Sequence, residues 1–208
     1  MTYGDRAEPA PLTCMALVDS LDMVDLDACA RAVHTWHRQG LATPLILPEH
    51  EFRRSLDAFP LEYAEMVRAH STIYGRDPFE DIAIDSGDLR RACERQIKGH
   101  LLHLREEYIE SAGRPHEVAA LVEASTPAFA ALLRTVARLH GRAASDRAAA
   151  TREGARAAQL PEGLVAAVLA LDVRDPSGMA ATDPARLFPE YLAAVEQLAM
   201  FVDRWRAS

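Results

Sequence analysis

Paired cysteines, long apolar runs and an excess of positive charge are all missing from this chain. Its three cysteines, Cys14, Cys29 and Cys93, include no CxxC. Such a scattered set excludes a disulfide framework and predicts buried thiols in a reducing, cytoplasmic setting. No apolar run approaches the roughly 18 residues of a membrane span, and the N-terminal stretch has no charged-then-apolar signal pattern. The formal net charge is −8 and the 23 basic residues are spread along the chain. That distribution argues against broad binding to nucleic acid or to an anionic membrane. There is no G-x-S-x-G elbow, no P-loop, no G-x-G-x-x-G and no internal repeat. Hydrolase, NTPase and Rossmann readings therefore lack support.

What is present is an ordinary globular composition. The chain has 208 residues, 49% of them apolar, enough for one large or two small domains with a real core. LTCMALVD (Leu12 to Asp19) predicts a short buried strand. A helix is expected from about Leu26 to Gln39, capped by Asp25 or Asp27. Its inner face would carry Ala30, Val33 and Trp36 or His37, and Gly40 would end it. Pro44 to Leu47 predicts a second strand, followed by a charged helical turn from Glu49 to Leu56. Strand, helix, strand is the crossover order of a mixed or parallel sheet. FPLEYAEM (Phe59 to Met66) fits either a helix start or a strand at Pro60, and the alternation of Glu62, Ala64 and Met66 favours a strand. A linker from Gly75 to Gly87 carries the expected domain boundary.

From Asp88 onward the apolar period becomes 3.6. Leu89, Cys93, Ile97, Leu101, Leu104 and Tyr108 form one helical stripe, ended by Gly113. A short helix is expected from Glu117 to Ala124, broken at Ser125-Thr126-Pro127 and restarting through Phe129, Leu132, Leu133, Val136 and Leu139. Residues Arg142 to Ala158 read as a loop or a marginal helix, and Leu164 to Leu171 as a further helix. Asp183-Pro184 opens the last helix, with Tyr191, Leu192, Val195, Leu198, Phe201 or Val202, and Trp205 inward. Helices joined this way predict a bundle. Its apolar stripes, with Leu102 and Ile109 beside the main one, are wide enough for a homo-oligomer.

Read together, LVDSLDMVDLDA, PLILPEHEFRRSLDAFPLEYAEM, IYGRDPFEDIAID, LRRACERQIKGHLLHLREEYIE, STPAFAALLRTVARLHG and FPEYLAAVEQLAMFVDRW resemble a family of bacterial nucleotidyltransferase-like proteins. The resemblance covers roughly residues 12 to 205 and rests on the order of the blocks. It implies an α+β chain, mostly α overall. Residues 1–84 would be a small, incomplete nucleotidyltransferase-like α/β domain and residues 85–208 a helical bundle similar to those of aminoglycoside nucleotidyltransferases and HEPN-type domains. Such a family transfers a nucleoside monophosphate from ATP or another triphosphate to a hydroxyl. A Gly-Ser turn holds the triphosphate, and a D-x-D pair with a third carboxylate holds two Mg²⁺ ions that neutralise phosphate charge.

This chain departs from that pattern. The D-x-D pair falls on Pro11 and Thr13, and the Gly-Ser turn on Tyr3-Gly4-Asp5. Glu62 is the expected third carboxylate, with Glu65 a poorer one. The resemblance then implies a degenerate relative, or one whose upstream segment is absent from the sequence, without nucleotidyl-transfer activity. It would work by binding a nucleotide, a small molecule or a second protein, and would need ATP and Mg²⁺ only if active. An active transferase with displaced ligands is the alternative.

Other constellations have plain structural explanations. Asp19, Asp22, Asp25 and Asp27 read as a solvated loop and helix cap before they read as a metal cluster. His34 with His37, and His100 with His103, share helix faces but lack further ligands. Arg95 with His100, and Arg134 with His140, echo the Arg…His spacing of HEPN ribonucleases or toxin–antitoxin partners, a spacing that recurs by chance in Arg-rich helices.

Overall fold

The computed structural model describes residues 11–141, 146–171 and 183–205. The chain is α+β and mostly helical, and it divides into two units. Residues up to Phe59 together with Ala69–Ala83 form one; Pro60–Arg68 and the chain from Ile84 onward form the other.

The first unit holds β1 (Met15–Val18), α1 (Met23–Arg38), β2 (Leu45–Pro48) and α2 (Glu49–Arg54). The strands pair in parallel, Met15 opposite Leu45 through Val18 opposite Pro48, as the crossover order requires. The helix starts earlier than its sequence suggests. Asp22, not Asp25 or Asp27, is the cap, accepting from the Val24 and Asp25 amides at 2.8 and 2.9 Å. Asp25 completes a capping box by accepting from the Asp22 amide at 3.1 Å. Gly40 follows the helix in the left-handed conformation, φ 77°, that suits a terminator.

The expected buried strands and buried helix face are not found. Nothing in α1 is buried, and only Cys29, Ala32, Val33 and Trp36 are partly covered, while Ala30 and His37 are exposed. Leu12 and Leu45 are exposed as well. Two strands give an amphipathic helix too little surface to cover. The unit's buried anchors are Pro48, Phe52 and Phe79, the two rings meeting edge-on at 5.6 Å.

The second unit begins with a correction. FPLEYAEM is not a strand: Pro60–Arg68 is a helix, α3, with Pro60 in its first position. Leu61 and Tyr63, two apart, fit the strand period, but Pro60 and Tyr63 are buried with Ala64 and Val67 partly covered, the helical spacing that packs on the next helix. That helix, α4 (Ser86–Glu110), is capped by Asp85 and buries Ala92, Cys93, Ile97 and Leu104. Tyr108, expected inward, is half exposed and stacks on Phe188 at 4.5 Å.

The predicted break at Ser125-Thr126-Pro127 does not occur either. One helix, α5 (Pro115–Leu139), runs through it. Pro127 removes one backbone donor, while the Ser125 and Thr126 hydroxyls lie 2.9 and 3.0 Å from the Val122 carbonyl. Burial of Phe129, Leu132, Leu133 and Val136 keeps the helix continuous through the gap. Among the described residues α5 alone has the length and composition to cross a membrane. Its apolar side chains are spent on the bundle core, against α4 and three later helices. These are α6 (Arg147–Ala157), α7 (Glu162–Ala170) and α8 (Pro184–Arg204). Of the segment Arg142 to Ala158, read as a loop or a helix, Arg147–Ala157 is a helix packed on α5, and residues 142–145 lie outside the described residues. Tyr191, Val195, Leu198 and Val202 are buried on α8 as their spacing predicts, and Phe201 and Trp205 are partly covered.

Candidate functional site

The expected catalytic carboxylate sits in the wrong kind of place. Glu62 lies on the exposed side of α3, between the buried Leu61 and Tyr63. Glu65, its poorer substitute, is engaged by Arg138 of α5. The acidic residues of the first unit are used locally: Asp22 and Asp25 build the cap of α1, and Asp19 and Asp27 are exposed. Pro11 and Thr13 are exposed and offer no carboxylate, and Tyr3-Gly4-Asp5 lies outside the described residues. Among the described residues no three His, Cys, Asp or Glu side chains come together as a metal site. Two Mg²⁺ ions need several hard oxygen donors converging on them. Among the described residues no donor set converges in this way.

The histidine pairs also separate. His37 Nε2 lies 3.2 Å from the Thr43 hydroxyl, and His34 is exposed. His103 stands 3.9 Å from Glu107 on the surface, whereas His100 turns inward. Arg95 is exposed on α4, five positions before His100 and therefore well round the helix from it. Arg95 and His100 therefore form no common site. His140 stacks on Phe201 at 5.1 Å, and the partly buried Arg134 lies six positions before it on α5.

Sequence reading missed a chain of buried polar groups that the bundle assembles from three helices. Tyr191 of α8 is fully buried, its ring edge-on to Phe129 at 5.1 Å. Its hydroxyl lies 2.9 Å from His100 Nε2 on α4 and 3.0 Å from Ser125 Oγ on α5. Ser125 Oγ also reaches the Val122 carbonyl at 2.9 Å. Ser125 Oγ–H donates to the Tyr191 hydroxyl or to the Val122 carbonyl, and the direction of the His100–Tyr191 bond follows the His100 tautomer. The available signal was a tyrosine in an apolar stripe, because its buried hydroxyl requires a partner somewhere.

His, Tyr and Ser in contact invite a catalytic reading, but their electrostatics point elsewhere. Burial, then the neighbouring His103, pushes the His100 imidazolium down to about 4. Burial pushes the Tyr191 hydroxyl up to about 12, the Ser125 hydrogen bond opposing it. A general acid or base works best with a pKa near the operating pH. Near neutrality this chain holds no charge and no readily exchanged proton. It is a three-helix tie. Cys93 is similar: burial pushes its thiol up to about 12, with Arg138 nearby opposing and Glu94 assisting. A thiol so placed is inert.

In the first unit, Asp77 gathers His70 and the start of the segment expected to be a linker. Its Oδ1 accepts from the Phe79 amide at 2.9 Å and lies 3.0 Å from His70 Nε2. The amide bond, then His70, holds its carboxyl below the ordinary value. The His70 ring packs on Phe79 at 4.7 Å, so the group anchors a loop. No family model, curated protein or solved structure matches the chain.

Proposed function

We propose that this protein acts by binding, as a nucleotidyltransferase-like chain that does not itself transfer nucleotide. The placement of Glu62 carries the reading. The one carboxylate left to serve phosphate chemistry stands on the exposed side of a helix that belongs with the bundle. The acidic residues near β1 are capping groups or solvated side chains. Pro11 and Thr13 supply no charge where two divalent cations would need it. The buried polar groups of the bundle add no proton-transfer group poised near neutrality.

Calorimetric titration with ATP and Mg²⁺, run beside an assay for released pyrophosphate, tests this. The expected result is no pyrophosphate release with or without a hydroxyl acceptor. Magnesium-dependent ATP binding with pyrophosphate release that Glu62→Gln abolishes would overturn it.

A further inference from the structure

The side of α4 that faces away from the core is not an ordinary solvated helix face. Arg95, Gly99, Leu102, Glu106 and Ile109 follow one another at spacings of four and three, and all are exposed. They lie opposite Cys93, Ile97 and Leu104, which are fully buried. Leu102 is 57% and Ile109 74% exposed, two large aliphatic side chains one heptad apart. Gly99 stands inside the helix, where it costs about 1 kcal/mol relative to alanine. Nothing in the chain explains it, since a Cβ there would meet nothing within 4 Å. Along the same ridge Arg95, Glu106 and Glu110 have no ion-pair partner among the described residues. The charge changes sign along it, basic at Arg95 and acidic at Glu106 and Glu110, while Lys98 and Arg105 on its flank are paired with Glu94 and Glu196.

We propose that this ridge is a dimer interface, on which a second copy of the chain lays its own α4 antiparallel, with Arg95 facing Glu110 of the partner subunit. The charge pattern decides the orientation. Parallel helices would set like charges against like, whereas reversal sets basic against acidic twice over by symmetry. In that register Leu102 lies at the two-fold axis against its own copy. Ile109 falls between the partner positions equivalent to Arg95 and Gly99, and the missing side chain at Gly99 makes room for it. A ridge that is complementary to its own reverse selects a second copy over an unrelated protein.

Analytical ultracentrifugation of the full chain across a wide concentration series tests the interface. The wild type is expected to reach the mass of two chains. Leu102→Glu with Ile109→Glu should stay monomeric with an unchanged circular dichroism spectrum, because both side chains are exposed. Arg95→Glu and Glu110→Arg should each weaken association roughly tenfold, and the two combined should restore it. Gly99→Leu should raise helix stability yet weaken the dimer, an effect that a solvated face would not produce. A wild type that is monomeric at every concentration would overturn the proposal. So would a dimer indifferent to the Leu102 and Ile109 changes, or single charge reversals that the double reversal fails to rescue.

Discussion

Gly154 of α6 lies so close to Leu133 of α5 that a Cβ built on it would fall 1.8 Å from the Leu133 carbonyl oxygen. The obstacle is helix backbone, which cannot swing aside as a side chain can. This contact explains why an alanine-rich, charged segment with little apolar surface is nevertheless a packed helix. Gly154→Ala would gain about 1 kcal/mol in helix propensity. It must also push two helices apart, and overpacking of this kind costs typically 1–3 kcal/mol or more. The expected net outcome is destabilisation, read as a lower urea midpoint with the slope unchanged.

The tie of His100, Tyr191 and Ser125 gives stability a specific pH dependence. The His100 imidazolium titrates at about 4 in the fold, against an ordinary value of 6.5. The unfolded chain therefore binds the extra proton first, and stability rises with pH between these values. The contribution is fully present above 6.5 and lost as pH falls toward 4. A displacement of that size would be worth roughly 3 kcal/mol in full, and less once solvent screening of the half-buried ring is counted. The carboxyls of Asp77 and Glu94, held below their ordinary values, lose their contributions at lower pH. Urea unfolding of wild type and His100→Gln from pH 4.5 to 7 should thus show a steep slope that the variant lacks. Parallel slopes would refute the assignment.

Tyr191→Phe keeps the ring against Phe129 and deletes only the hydroxyl. It strands a buried imidazole nitrogen and leaves Ser125 with its bond to Val122. A loss of about 1–3 kcal/mol is expected, the cost of an unsatisfied buried polar group. Thermal unfolding followed by circular dichroism measures it.

The thiols should separate in reactivity. Cys14 and Cys29 are partly exposed and Cys93 is buried with its thiol held protonated. Ellman's reagent should label the first two in the native protein and Cys93 only in denaturant. Rapid native labelling of Cys93, shown by mass mapping, would contradict the packing around it.

Helix α1 depends on its cap to an unusual degree. It buries no side chain, so packing contributes little and the Asp22–Asp25 box carries much of its stability. Asp22→Ala should cost about 1 kcal/mol. Hydrogen exchange should show the loss as faster exchange confined to the amides of Met23–Arg38.

The sequence by itself determined which segments can be helical on one face, where acidic caps and glycines punctuate them, and that two strands flank a crossover helix. Those are local properties, written in residue periodicity and backbone preference within a few positions. Tertiary structure decided the rest. Leu61 and Tyr63 are two apart as in a strand while Pro60, Tyr63 and Val67 follow the helical period, so packing on α4 made Pro60–Arg68 a helix and left Glu62 exposed. Pro127 marks a break by its own chemistry, yet the core around Phe129 and Leu133 and the hydroxyls of Ser125 and Thr126 kept α5 continuous. The partnership of His100 with Tyr191 spans 91 positions, and no periodicity within α4 or α8 encodes it. Distance along the chain is the physical reason: local free energies choose elements, and only their mutual burial chooses which polar groups meet.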